Sequence, residues 1–263
     1  MTEAVGAPED AASIDVAFLP GEVRPADIAL VVDVLRASST IVAALAAGFE
    51  RVLCVADVEG ARRLKGQGRQ LAGERECKPI EGFDYGNSPG AIPDAPVPEL
   101  VLSTTNGTPA VLAAAEATGE VLIASLLNFD AVVGAVPDGA DVSIVCSGTA
   151  GRFALEDAYV AGLLVGRLGG RRTDAATAAV QLAGSYAQPY DALAQSADAE
   201  VLRATDQEGD IDFCARVSVC DIVPRVSECS DGVAVVQKTD SGAAGVSRDL
   251  HKGKAMSTAR TFA

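Results

Sequence analysis

Short apolar runs that stop abruptly in polar loops dominate the first 150 residues, and most of these loops lead into Ala-rich stretches with helical spacing. The runs cover residues 14–19, 28–33, 52–55, 100–103, 121–124 and 142–146. They are too short for helices and show little polar alternation, as expected of strands covered by helices on both faces. Helical spacing follows over residues 40–47, 58–65, 109–117, 128–136 and 155–168, with two further helices expected within 173–187 and over 197–204. This alternation predicts an α/β fold with largely parallel sheet in α/β/α layers. The clearest break is Pro137-Asp138-Gly139-Ala140. It predicts either two parts of similar build, 1–138 and 139–263, with the site between them, or one compact unit. Past Val236 the chain is polar and small-residued and is expected to be peripheral.

Composition narrows the partners. The 263 residues carry a formal charge of −15 and only five Lys. A surface this acidic repels nucleic acid and anionic membrane, so neither is an expected partner. It suits a high-salt cytoplasm, while the low Lys content of this Ala-rich chain fits genome composition equally well. No apolar run approaches the roughly 18 residues that span a bilayer. The opening MTEAVGAPED has acids and no basic n-region, so no secretion signal is expected and the cytoplasm is the expected compartment. Six cysteines form no CxxC pair, which favours free thiols over zinc or disulfides. The one histidine, His251, leaves Ser-His-Asp triads and multi-His metal sites without parts. Chemistry must rest on carboxylates, hydroxyls, thiols, Arg or a hard metal ion.

Four loops offer such groups. In IALVVDVLRASST a strand ends on Asp33, Arg36 follows, and Ser38 and Ser39 lead into a helix start that can hold an anion. The plainer reading is a helix cap with an Asp33–Arg36 pair. GERECKPIEGFDYGNSPG gathers Glu74, Glu76, Glu81, Asp84 and Asn87 in a Gly-rich loop. Clustered carboxylates either sit in solvent or surround a cation. LVLSTTNGTPAVL places Thr104, Thr105, Asn106, Gly107 and Thr108 between a strand and a helix, with Pro109 suited to the first turn, a cradle for phosphate. In VSIVCSGTAGRFALEDAYVAG, Glu156 and Asp157 sit early in a helix, where they stabilise its start or reach the strand-end face. The same loop contains Cys146 and Arg152 in the Cys-x5-Arg spacing of cysteine-dependent phosphatases, without the His that usually precedes the Cys or the hydroxyl that usually follows the Arg.

Taken in order, DVLRASST, GERECKPIEGFDYGNSP, STTNGT, LLNFD and CSGTAGRFALEDAYVAG resemble the 2-phosphosulfolactate phosphatase (ComB) family, over residues 27–224. The resemblance implies a fold of the family's own and a Mg²⁺-dependent phosphoric monoester hydrolase. Its reaction converts 2-phospho-3-sulfolactate and water to 3-sulfolactate and phosphate, a step of coenzyme M synthesis in methanogens. The family's motif residues fall on Asp33, Arg36, Ser38, Glu74, Asp84, Asn87, Thr105, Asn106, Gly107, Glu156 and Asp157. On that basis Asp33, Glu74, Asp84, Glu156 and Asp157 are the metal candidates. Asp33 and Arg36 are the catalytic pair, with Asp33 as nucleophile or base. Ser38, Ser39, Asn87 and Thr104 to Thr108 are the substrate contacts. Ser103 stands where relatives often carry a third Thr, and the chain after Gly170 matches loosely, which leaves recognition of the substrate's distal acid open. The expected partner is a small anionic phosphorylated metabolite, and base rates favour a symmetric homodimer. The alternatives are a cysteine phosphatase using Cys146 and Arg152, and a protein that binds a small anion without turnover.

Overall fold

A computed structural model describes residues 12–95 and 97–238. Their elements run β1 Ser13–Ala17, β2 Ile28–Val32, α1 Ala37–Ala46, β3 Arg51–Val55, α2 Val58–Arg63, β4 Arg69–Arg75, β5 Lys78–Pro79, β6 Glu99–Ser103, α3 Gly107–Ala117, β7 Glu120–Ala124, α4 Phe129–Ala135, β8 Val142–Cys146, α5 Leu155–Arg167, β9 Arg171–Arg172, α6 Asp174–Ala183, α7 Pro189–Ala194, α8 Ala197–Ala204, α9 Gly209–Cys214, β10 Pro224–Ser230 and β11 Val233–Lys238. His251 and most of the polar tail lie outside the described residues. All six strands expected from the apolar runs are present, and none of the described helices is long and apolar enough to cross a membrane.

One large α/β sheet organises the chain, in the order β5-β4-β6-β3-β11-β10-β7-β2-β8-β1-β9. Its two flanks are parallel: β4, β6 and β3 on one side, and β7, β2, β8, β1 and β9 on the other. Strand β8, after the break at residue 138, lies between β1 and β2, so strands from both sides of the break share the sheet. Strand β2 shows why its sequence is uniformly apolar. Ile28, Leu30 and Val32 face a core shared with α4, α5 and α6, while Ala29 and Val31 face a second core shared with α1 and α3.

The β10–β11 hairpin joins the flanks. Strand β11 pairs antiparallel with β3 over five residue pairs, and β10 meets β7 through Arg225 and Leu122, also antiparallel. An ion pair between Arg225 and Glu120 adds to this junction. Three antiparallel pairings in succession make the flanks run in opposite senses. From β6 to β2 there are five strand steps, and at the usual 20–25° each the twist accumulates to about 100–125°. Helix α3 touches strands of both flanks and brings Gly107, after β6, against Asp33, after β2. The site forms at this meeting point.

Candidate active site

The turn after β2 is braced by its own side chains. Asp33 Oδ1 accepts from Ala37 N at 3.0 Å, the Ser38 hydroxyl donates to Asp33 O at 2.8 Å, and that of Ser39 donates to Val34 O at 2.9 Å. These bonds start α1 at Ala37, three residues before the position expected from spacing. After β6, Thr104 and Thr108 cap α3 reciprocally: Thr108 N donates to Thr104 Oγ1 at 3.1 Å, and Thr108 Oγ1 donates to Thr104 O at 3.0 Å. Ser38, Ser39, Thr104 and Thr108 thus lie at the site with their hydroxyls engaged by backbone. Between the two turns, Gly107 lies directly against Asp33. A Cβ there would overlap Asp33 Oδ2 and Ala37 Cβ, so only glycine lets α3 approach this closely.

Carboxylates fill the space around Asp33. Glu74, Glu156, Asp157 and Asp198 all act electrostatically within this group, and Glu74, Glu156 and Asp157 are almost fully buried. Two of them are structural ties. Asp157 Oδ1 accepts from Val34 N at 2.9 Å, and its Oδ2 accepts from the Ser147 hydroxyl at 2.9 Å and Gly148 N at 3.2 Å, locking the β8 loop to the β2 turn. Glu74 accepts from Thr105 N at 2.8 Å and Cys77 N at 2.9 Å. Glu156 is hydrogen-bonded to Asp198, which also accepts from Thr149 Oγ1 at 2.9 Å. Asp84 stands apart: exposed, it accepts from Leu71 N at 2.8 Å and pins its loop to β4.

Arg36 is 3% exposed and faces this cluster. Its Nη1 donates to Gln207 Oε1 and to Asp210 Oδ2, both at 2.5 Å. The plain Asp33–Arg36 pair allowed by the sequence does not form; Asp210 takes the guanidinium instead. Asn87 packs nearby, its backbone carbonyl accepting from Thr40 Oγ1 at 2.9 Å, and its buried Oδ1 meets no donor among the described residues. Thr105 is exposed, and Asn106 Oδ1 accepts from Ala150 N at 3.1 Å, tying the α3 loop to the β8 loop. Asp198, Gln207, Asp210 and Cys77 are the site residues that sequence reasoning missed.

Burial raises the Asp33 carboxyl to about 7, and the charges of Asp198 and Glu74 add to this. Burial also raises Glu156, helped by Asp157 and Asp198, and it raises Asp198. Raised carboxyls mean that the folded, metal-free chain binds more protons than the unfolded chain between about pH 4 and pH 7. Its stability must therefore fall as pH rises through that window. Thermal melts in EDTA are expected to drop by several degrees from about pH 5 to pH 8, at about 2–4 °C for each kcal/mol lost. A flat or rising profile would show that these carboxyls are already compensated within the protein.

The Cys-x5-Arg reading does not fit the loop. Cys146 is fully buried at the end of β8, and burial holds its thiol well above the ordinary range, with Asp157 and Glu156 reinforcing this. Gly148 N, Thr149 N, Ala150 N and Arg152 N donate to Asp157, Arg152 O, Asn106 and Thr149 O, so no ring of amides surrounds the sulfur. Arg152 is exposed. Cys146→Ala is expected to retain phosphate release to within about threefold in kcat, because a buried neutral thiol takes no part in the chemistry. A loss of several hundredfold in a folded variant would restore the cysteine mechanism.

Comparison with known proteins places the chain in a family. The profile of the family described as 2-phosphosulpholactate phosphatase matches residues 17–229. A Thermus thermophilus protein named as a probable 2-phosphosulfolactate phosphatase is 39% identical over 215 residues, covering 78% of this chain and 91% of its own. A Pseudothermotoga lettingae protein of the same description is 37% identical, covering 80% and 94%. The Methanothermobacter thermautotrophicus 2-phosphosulfolactate phosphatase is 35% identical over 198 residues, covering 75% and 85%.

Proposed function

Because the chain belongs to the 2-phosphosulfolactate phosphatase family, we propose that it hydrolyses the phosphate ester of 2-phospho-3-sulfolactate, or of a closely related phosphorylated hydroxy acid, to the free hydroxy acid and inorganic phosphate. The observation that carries the mechanism is the imbalance of charge. Asp33, Glu74, Glu156, Asp157 and Asp198 converge with Arg36 as the buried cation beside them, and Arg36 is already paired with Asp210. A substrate bearing a phosphate and a second acid would be repelled from that cluster unless a cation joined it.

Magnesium fits this donor set. No group of three or more His, Cys, Asp or Glu among the described residues forms a ready-made cage. Mg²⁺ needs none, because it keeps several waters and takes one or two carboxylates together with phosphate oxygens. One or two of Asp33, Glu156 and Asp198 would hold it, since Asp157 and Glu74 have both oxygens taken by donors of the fold. Bound there, it would neutralise phosphoryl oxygens and favour in-line displacement.

The chain's own groups supply the rest. The side of the Arg36 guanidinium away from Asp210 grips an anionic group of the substrate. The Asn106 and Gly107 amides at the start of α3 stabilise charge on the transferring phosphoryl group. Asp33 either attacks phosphorus or takes the proton of the attacking water. The donorless Asn87 Oδ1 is an acceptor for the hydroxyl of the product or a bound water. The cytoplasm is our placement for the enzyme, supported by six cysteines that are all free.

The test is phosphate release from 2-phosphosulfolactate and a panel of phosphomonoesters, in Mg²⁺ and in EDTA. Turnover should vanish in EDTA, return with Mg²⁺, and favour the ester with a second acidic group. Release that survives EDTA, or none from any ester, would overturn the reading.

A further inference from the structure

The environment of Arg36 is more specific than catalysis by a lone cation requires. A guanidinium carries five N–H donors in a rigid plane. Both donors of Nη1 are used, one on Gln207 Oε1 and one on Asp210 Oδ2, each at 2.5 Å. Those acceptors are themselves held. Gln207 Nε2 donates to Cys77 O at 2.8 Å and to Thr205 Oγ1 at 2.9 Å, and Asp210 Oδ1 accepts from the Ser88 hydroxyl at 2.6 Å. Through these bonds the turn after β2, the two loops flanking β5, and the α8–α9 connection with the start of α9 are tied together around Arg36. No acceptor among the described residues meets Nε or Nη2, and the positive charge is felt at Asp198 and Cys77, inside the cluster. With Nη1 closed off, the open edge is Nε–Nη2, the fork that takes two oxygens of a phosphate, sulfonate or carboxylate in parallel.

We propose that Gln207 and Asp210 are positioning residues that fix the Arg36 guanidinium so that its Nε–Nη2 edge stands as a preset clamp for one anionic group of the substrate. The inference rests on the reading of Arg36 as a substrate contact. It adds that the α8–α9 segment governs how well the anion is held, without touching it. Asp210 offsets the buried charge, and Gln207 fixes the rotation of the plane.

The experiment compares Arg36→Lys, Gln207→Met, Gln207→Glu and Asp210→Asn for kcat and KM with Mg²⁺. Calorimetric titration with inorganic phosphate and the circular dichroism spectrum accompany each. Gln207→Met and Asp210→Asn should lose about 10- to 100-fold in kcat/KM and weaken phosphate binding in parallel, because a displaced fork forfeits oriented contacts. Gln207→Glu keeps the acceptor for Nη1 but loses the donor to Cys77 O and Thr205 Oγ1, so it should fall between Gln207→Met and wild type. A rise in KM at constant kcat would assign the clamp to the non-reacting acid, and a fall in kcat to the phosphoryl group. If Asp210→Asn does not fold, the Gln207 pair decides alone. Gln207→Met behaving as wild type, while Arg36→Lys has lost activity and phosphate binding, would overturn the positioning role only. Arg36→Lys behaving as wild type would remove Arg36 from the site and overturn both readings.

Discussion

Asp33→Asn is expected to abolish phosphate release, by about a thousandfold or more, in a protein that folds and melts no lower than wild type. The loss follows because the same oxygen-rich position is asked to hold a cation and to supply the attacking or proton-accepting group, each worth orders of magnitude in rate. The intact fold follows from geometry. An Asn keeps the Oδ1 that accepts from Ala37 N and so keeps the start of α1. It also removes one carboxyl from a crowded buried group, where its neighbours raise one another's affinity for protons. Metal-free Asp33→Asn should therefore lose less stability than wild type as pH rises from about 5 to 8. Near-normal turnover would remove Asp33 from the chemistry, and a large drop in melting temperature at constant activity would make it a structural residue.

Gly107→Ala is the second large effect, and it acts through backbone spacing. The added methyl would occupy space already held by Asp33 Oδ2 and by Ala37 Cβ, so the starts of α1 and α3 must separate. Overpacking of this kind costs about 1–3 kcal/mol in stability. The larger consequence is catalytic: the carboxylate and the α3 amides cannot keep their spacing, and a shift near 1 Å costs about a hundredfold in rate. The expected outcome is a folded protein with activity about a hundredfold lower and a melt several degrees lower. Normal kinetics would show that α3 moves freely relative to Asp33 and takes no part in holding the phosphoryl group.

Much of this was legible in the letters, for identifiable reasons. Asp33 announces itself because an apolar strand ends on an acid and a helix follows at once, and both facts are local. The Gly107 turn reads similarly. Asp198 gives no such signal. In SADAEVLRATDQEGD it is an acid in the first turn of a short helix, where negative charge is ordinary. Only tertiary packing carries it to Glu156 and Thr149. Gln207 and Asp210 were hidden in the same way. Strand β4 escaped because RQLAGER is charged at both ends and buried only at its centre. The hairpin β10–β11 was readable in principle: Asp231-Gly232, both at positive φ, sit between β-prone residues, the usual signature of a two-residue turn. The polarity of the stretch around them obscured it.

That hairpin also sets a timetable for the protein's birth. Strands β1 to β9 lay down both flanks by residue 172, yet the strands that stitch them together are not complete until residue 238. Until then a nascent chain presents β3 and β7 as two bare sheet edges, the surfaces most prone to pairing with the wrong neighbour. The loops bearing Asp33 and Gly107 belong to different flanks, which α3 and this hairpin both bridge. A polypeptide cut short before this hairpin would contain every candidate catalytic group yet lack the two strands that join their flanks into one sheet.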